Sequence, residues 1–114
     1  MKDQRLYLGH IREAIADIRT YAAAGESAFL TDRMRQDAII RKLEMIGEAV
    51  KQLSDVTRLQ RPAIPWRQIA GIGNVLRHSY DIVDDRIIWE IASVHFPALR
   101  TVVVEIRSQL PDDD

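Results

Sequence analysis

The sequence predicts an all-α fold, an up-and-down bundle of four to five helices that forms a single domain over residues 1–114. Long segments repeat apolar residues at intervals of three and four, which is the spacing of one helix face. Glycine and proline interrupt these segments, and no segment has a convincing strand pattern. A chain of 114 residues has room for one hydrophobic core and no second one.

The first helix is predicted from about Asp3 to Ala24. Gly25 follows as its terminator. We expect residues 25–32 to connect this helix to the next, with Thr31 or Asp32 as the next N-cap. The apolar face of the first helix consists of Leu8, Ile11, Ile15, Ile18 and Ala22.

A second long helix is predicted from about Asp32 to Ser54. A polar stretch with two prolines follows, and a third helix is predicted from Pro65 to about His78, because proline suits the first turn of a helix. The apolar stripe of the second helix consists of Met34, Ala38, Leu43, Ile46, Val50 and Leu53, widened by Ile39 and Ile40.

The segment after Tyr80 is predicted to be further helix with Asp84 as its cap and Pro97 either kinking it or starting a new helix. The β-branched run 101–104 could indicate a strand. Acidic and arginine residues recur around it at helical spacing, and this pattern favours a helix. Its expected apolar face consists of Ile87, Ile88, Ile91, Val94, Leu99, Val102, Val103, Ile106 and Leu110.

The composition excludes several classes of protein. There is no cysteine, so disulfide scaffolds, thiolate nucleophiles and zinc ribbons are excluded. The net charge of −1 gives no global steering toward nucleic acid or membrane. Residues 1–19 are charged throughout and lack the apolar run of a signal peptide or membrane span, so we expect a cytoplasmic protein with no membrane partner.

The charge distribution is more informative than the total. Residues 56–80 contain no acid, although four arginines and His78 lie there, and 13 of the 16 basic residues are arginine. Guanidinium groups bind phosphate in a bidentate manner, so the bias fits a phosphate-bearing partner. It fits an ordinary solvated surface equally well.

Three other signals are weak. Gly71 and Gly73 lack the third glycine and the preceding strand of a dinucleotide loop. The three histidines His10, His78 and His95 lie far apart without metal-ligand spacing, so we predict no metal and no cofactor. The two tryptophans, Trp66 and Trp89, are expected in the core or at a subunit interface.

The remaining candidate site is the stretch from Asn74 to Tyr80. Asn74 and His78 are four residues apart and share one helix face, with Arg77 beside them. Imidazole can shuttle the proton of an attacking ribose hydroxyl, arginine can stabilise charge on a phosphate, and asparagine can orient either group. These residue types also occur together on helices by chance, so an ordinary helix surface stays open as the alternative.

Three blocks give the chain a family resemblance: IGEAVKQL at 46–53, IPWRQIAGIGN at 64–74 and NVLRHSYDIVDDRIIWEI at 74–91. Together they resemble the HepT family of HEPN-domain toxins over nearly the whole chain. The resemblance implies a HEPN-like bundle and a homodimer whose composite cleft is a metal-independent ribonuclease acting on RNA such as tRNA. It implies proton transfer for His78 and an orienting role for Asn74.

One position departs from the family pattern. That pattern is arginine, four residues, histidine, any residue and tyrosine, and Gly73 stands where the arginine belongs. Arg77 lies one turn later and could partly substitute as the phosphate contact. Our hypothesis is that Gly73 marks an attenuated toxin.

The tyrosine of the pattern is Tyr80. In this family a nucleotidyltransferase antitoxin, MntA, transfers AMP to it, so the resemblance implies an MntA-like partner and silencing by AMPylation. Added bulk and phosphate charge would repel RNA from the cleft. Tyr80 could also be an end-of-helix aromatic that packs on Trp89 or on the other subunit.

Two rival functions stay open. Because of Gly73, the chain could be a catalytically inactive binding or regulatory subunit of a nucleotidyltransferase. It could also be a scaffold whose helices assemble with a partner. Loss of RNA binding on replacement of Arg77 would distinguish a nuclease from a scaffold.

Overall fold

The computed structural model describes residues 3–78 and 84–110. Those residues form helices and no strand, which confirms the all-α prediction. The elements are α1 (Gln4–Ala22), α2 (Glu26–Thr31), α3 (Arg33–Lys51), α4 (Asp55–Leu59), α5 (Trp66–His78) and α6 (Asp85–Ser108). Six helices replace the predicted four to five, because two short helices, α2 and α4, lie between the predicted long ones.

The segment from Gly25 to Asp32, which we predicted to be a connection, contains helix α2. Gly25 has φ 97°, a left-handed conformation that glycine adopts without steric cost, and the chain turns there after α1. The turn allows Phe29 to be completely buried. A six-residue helix with one core side chain shows too little periodicity to be recognised in a sequence.

The helix ends follow the capping residues. The Asp3 carboxylate accepts from the amide N–H of Arg5 at 3.0 Å, and the Asp32 carboxylate accepts from the amide N–H of Arg35 at 3.3 Å. Asp32 was one of the two caps predicted for its helix, whereas Asp3 was predicted as the first residue of the first helix, and each lies one residue before its helix. The C-terminal ends come earlier than predicted, at Ala22 and Lys51.

The core lies between α1, α3 and α6, and α3 separates α1 from α5. Its fully buried side chains include the predicted residues Leu8, Ile11, Ile15, Ile18, Leu43, Ile46, Val50, Val103 and Ile106. Three predicted members are instead exposed: Met34, Ile87 and Val94. Met34 shares an outer line of α3 with Arg41 and Met45, while the inner line of α6 runs through Ile88 and Ala92.

Helix α6 continues through Pro97. A five-residue π-turn, Ile91–His95, precedes the final segment Phe96–Ser108, in which Pro97 occupies the first turn. Proline has no N–H and crowds the carbonyl one turn earlier, so a wider turn accommodates it without ending the helix. Residues 101–104 are helical, as predicted.

Of the described helices, only Asp85–Ser108 has the length and apolar composition to cross a membrane, with a mean hydropathy of 1.4 over an 18-residue stretch of it. Its buried side chains Ile88, Phe96, Leu99 and Val103 belong to the core shared with α1 and α3. Core helices of bundles pass the same test of length and composition.

Trp66 fixes the start of α5. Its indole N–H donates to the carbonyl oxygens of Arg58 at 2.9 Å and Arg61 at 3.0 Å, so the residues between α4 and α5 form a closed turn. The side chain is buried, which confirms its prediction as a core aromatic. Trp89 is half-buried and packs on Phe29 with ring centroids 5.5 Å apart.

Candidate functional site on helix α5

One side of α5 packs against α3. Ile69, Gly73 and Leu76 are buried on this inner side. The helices approach closely at Gly47 of α3, where an added Cβ would lie only 3.0 Å from the carbonyl oxygen of Ile69. A side chain at position 47 would therefore force the two helices apart.

Gly73 has more room than Gly47. An added Cβ at position 73 would lie 3.6 Å from the Cα of Glu44, which is ordinary van der Waals contact. Packing on α3 therefore does not require glycine at this position, although the residue is buried. Helix stability does not explain the glycine at position 73 either, because glycine is unfavourable in a helix interior.

The opposite side of α5 carries a line of four residues, Arg67, Gly71, Asn74 and His78, which we call the outer stripe. Their spacing of four, three and four places them along one face of the helix. Arg67, Asn74 and His78 are exposed. An added Cβ at Gly71 would meet no atom within 4 Å, so nothing in the described part of the chain approaches it.

The predicted site residues divide between the two sides. Asn74 and His78 lie together on the outer stripe, whereas Arg77 points toward α3, where its Nη1 lies 3.5 Å from Oε2 of Glu44. The Glu44 side chain is only 16% exposed and that of Arg77 is 51% exposed. Arg77 is therefore paired with a carboxylate rather than directed at Asn74 and His78. Tyr80 lies outside the described residues.

Sequence reasoning missed three residues around this site. The partner of Arg77 is Glu44, which is 33 residues away and carries no sequence signal. Arg67 and Gly71 do have a signal, because they precede Asn74 by seven and three residues on the same helix. The stripe includes no acidic side chain, and α5 as a whole has none.

An apolar groove of about 290 Å³ runs between α5 and α6. Ile72 of α5 and Ile91 of α6 contribute to it, with Ile64, Pro65, Gln68, Ile69, His95, Phe96, Ala98 and Leu99. Val75 lies between Gly71 and Ile72 around the helix and is 52% exposed. The outer stripe is therefore flanked by exposed apolar surface.

The three histidines lie on different surfaces. His95 lines the apolar groove, and His10 lies edge-on to Tyr7 in a separate cavity of about 500 Å³ between α1 and α3. Within residues 3–78 and 84–110, no three side chains of histidine, aspartate or glutamate are placed to hold a metal ion.

Several curated proteins are similar to this chain. It is 36% identical over 110 residues to a Methanocaldococcus jannaschii protein named as a gamma-glutamylcyclotransferase and, provisionally, as an RNase; the match covers 96% of this chain but 50% of that relative. A Caldanaerobacter subterraneus protein provisionally named as an RNase is 39% identical over 93% of this chain and 96% of its own length. A Thermococcus cleftensis protein named as the probable ribonuclease HepT is 36% identical over 89% of this chain and 93% of its own length.

No solved structure was found to match the chain. The sequence profile of the family described as "Ribonuclease HepT-like" matches residues 11–106, which include α3, the outer stripe of α5 and most of α6. The chain therefore belongs to the HepT-like ribonuclease family.

Proposed function

We propose that this protein is the toxin of a type VII toxin–antitoxin system and a metal-independent endoribonuclease that cleaves RNA such as tRNA. The observation that carries the proposal is an exposed imidazole, His78, one turn after an exposed amide, Asn74, on a helix without acids. Family membership supports the ribonuclease activity. We propose a cytoplasmic location because the RNA substrate is found there.

The proposed reaction is an internal transfer at a ribose–phosphate linkage. The 2′-hydroxyl loses its proton, its oxygen bonds to phosphorus, and the bond from phosphorus to the 5′-oxygen breaks. The leaving oxygen takes up a proton, and the products carry a 2′,3′-cyclic phosphate and a 5′-hydroxyl. His78 takes the first proton or donates the second, and Asn74 orients the imidazole or the phosphate.

We propose that Gly73 attenuates this activity. A ribonuclease site needs positive charge against the phosphate, and within one copy Arg77, the cation one turn from position 73, is paired with Glu44. An arginine at position 73 would begin beside Glu44, where the added Cβ fits without a clash. It could compete for that carboxylate, and either guanidinium could then turn to the substrate.

A homodimer is part of the proposal, and we assign its contact to the side of α5 that carries Gly71 and Val75. Glycine in a helix interior is unfavourable, and no described residue packs on Gly71. Close approach of the backbone of a second copy would explain why position 71 is glycine. Val75, Ile87 and Val94 are each more than half exposed and gain cover in the same contact. His78 and Asn74 then lie at the edge of the seam between copies.

We propose that Tyr80 is the AMPylation site of an MntA-like nucleotidyltransferase antitoxin. Tyr80 follows His78 by two residues, so an attached AMP would place a phosphate charge close to the imidazole. Mass spectrometry of the toxin co-expressed with its partner should find AMP on Tyr80. An unmodified tyrosine in the presence of active partner and ATP would contradict this step.

The rival candidate is a catalytically inactive binding or regulatory subunit of a nucleotidyltransferase. Gly73 and the Arg77–Glu44 pair favour it, since together they leave neither position 73 nor 77 with a free cation. In that case RNA cleavage, if any is seen, should be the same after His78→Ala.

The experiment that separates them compares wild type, His78→Ala and Gly73→Arg for growth arrest without the partner and for cleavage of total RNA by purified protein. We expect Gly73→Arg to exceed wild type and His78→Ala to abolish both effects. His10→Ala is the matched control, because His10 is also an exposed helical histidine. No gain from Gly73→Arg would refute attenuation, and no loss from His78→Ala would refute the nuclease.

A further inference from the structure

We propose that Arg67 of a second copy supplies the phosphate-binding cation to His78 and Asn74 of the first. The inference rests on the proposed ribonuclease function and on the contact at Gly71. It assigns a role to a residue outside the candidate site predicted from the sequence.

The first step concerns which cation is available. Arg77 is paired with Glu44, whereas Arg67 is exposed and makes no hydrogen bond or ion pair with another described residue. Arg67 belongs to the same stripe as Asn74 and His78, and α5 has no acidic residue to neutralise it. Among the described residues, Arg67 is therefore a guanidinium without a partner, on the face that carries the imidazole.

The second step is that Arg67 cannot serve His78 of its own copy. The two residues are eleven apart, so their positions differ by about 16 Å along α5 at the usual helical rise. An arginine side chain cannot span that length while also reaching a phosphate held at the imidazole. Within one protein chain the stripe has its cation at one end and its acid–base group at the other.

The third step is the geometry of a symmetric contact. If two α5 helices cross antiparallel at Gly71, position 67 of the second copy lies opposite Val75 of the first. Along the helix direction it is then about 1.5 Å from Asn74 and about 4.5 Å from His78. The two-fold axis that relates the two copies is perpendicular to both helices. Residues that lie on the same side of the stripe in each copy therefore lie on the same edge of the contact between the copies. Arg67 of one copy thus joins Asn74 and His78 of the other.

Gly71 makes such a crossing feasible. It stands inside the stripe, four residues after Arg67 and seven before His78, and its lack of a side chain permits close approach of the helices. The central part of the stripe carries no charge, so the two copies do not repel each other there. The two copies of Arg67 lie on opposite sides of the axis, about 12 Å apart along the helix direction.

Mixing two inactive variants tests the proposal. Arg67→Ala should lower His78-dependent RNA cleavage by about 10²-fold, and His78→Ala should abolish it. After the two are mixed and allowed to exchange, each heterodimer has one site with both residues and one with neither. Random exchange gives half heterodimers with half their sites intact, so activity should return to about a quarter of wild type. An Arg67 that served His78 of its own copy would predict no recovery from this mixture.

Controls distinguish a cation from a structural residue. Arg67→Lys should recover part of the activity, and Arg19→Ala, which removes another exposed arginine, should change neither cleavage nor binding. Sedimentation should show that Arg67→Ala stays dimeric. Binding of a labelled single-stranded RNA by the His78→Ala protein should weaken when Arg67→Ala is added and persist with Arg19→Ala.

The outcomes separate this inference from the proposed function. His78-dependent cleavage that is unchanged by Arg67→Ala, or a loss that the mixture does not restore, overturns the role in trans and leaves the ribonuclease in place. Cleavage that is absent or independent of His78 overturns the ribonuclease. In that case equal RNA binding by the Arg67 and Arg19 variants overturns the cation role as well.

Discussion

The two sides of helix α5 differ in how far the fold accounts for their residues. On the inner side Ile69, Gly73 and Leu76 are buried against neighbouring helices, and Arg77 reaches Glu44. On the outer stripe, by contrast, Arg67 and His78 have no partner among the described residues, and no described atom lies within 4 Å of a Cβ added at Gly71. The inner residues stabilise the bundle, whereas the described part of one copy offers the outer ones no contact that explains them.

Under the proposed function, this difference separates residues that stabilise the fold from residues that act on RNA. A helix needs an apolar side to pack, but it does not need a glycine, an asparagine and a histidine in line on its solvent side. Changes on the inner side should therefore alter the free energy of unfolding, and changes on the outer stripe should alter RNA cleavage.

The largest effect is expected at His78. Replacement by alanine should lower the rate of RNA cleavage by about 10²- to 10⁴-fold, which is the usual contribution of a general acid or base. The free energy of unfolding should change by less than about 0.5 kcal/mol, because the side chain is exposed. Cleavage assays and chemical denaturation of the same preparation measure both. A large loss of stability in His78→Ala would mean that His78 stabilises the fold, as the inner residues do.

Two adjacent residues of α5 allow a direct comparison of the stability effects of its two sides. Leu76 is 4% exposed and Val75 is 52% exposed. Leu76→Ala should destabilise the protein by about 2–5 kcal/mol through the lost burial and the cavity that remains. Val75→Ala should stay within about 0.5 kcal/mol at concentrations where the protein is monomeric. Equal losses in denaturant titrations would mean that the two sides of α5 are not distinct.

Replacement of glycine by alanine should change the free energy of unfolding in opposite directions at Gly47 and Gly71. Gly47→Ala places a Cβ 3.0 Å from the carbonyl oxygen of Ile69 and should cost about 1–3 kcal/mol. Gly71→Ala meets no atom within 4 Å and should stabilise the monomer by up to about 1 kcal/mol, the difference in helix propensity. Thermal unfolding in dilute solution measures both. Destabilisation of the monomer by Gly71→Ala would show a packing role within the chain.

The sequence was sufficient for the features that depend on local periodicity. The cap Asp32 follows from its residue type just before a helical pattern, and the buried stripe of α1 and the shared face of Asn74 and His78 follow from spacing along one helix. Helix α2 and the Arg77–Glu44 pair could not be predicted in this way. They depend on contacts between segments distant in sequence, and one core phenylalanine or one distant carboxylate leaves no periodic trace.

The smallest effect is expected at the pair that joins the two sides of α5. Glu44→Gln removes the carboxylate that holds Arg77, and because Arg77 is half exposed the stability cost should be only about 0.2–1 kcal/mol. Cleavage should nevertheless rise a few-fold, since a guanidinium next to His78 becomes free to meet phosphate. Glu48→Gln is the matched control, because Glu48 lies one turn further along α3 and pairs with Lys51 at 3.1 Å. Equal cleavage by the two variants would mean that Arg77 contributes nothing to the site even when released, and that the cation must come from elsewhere.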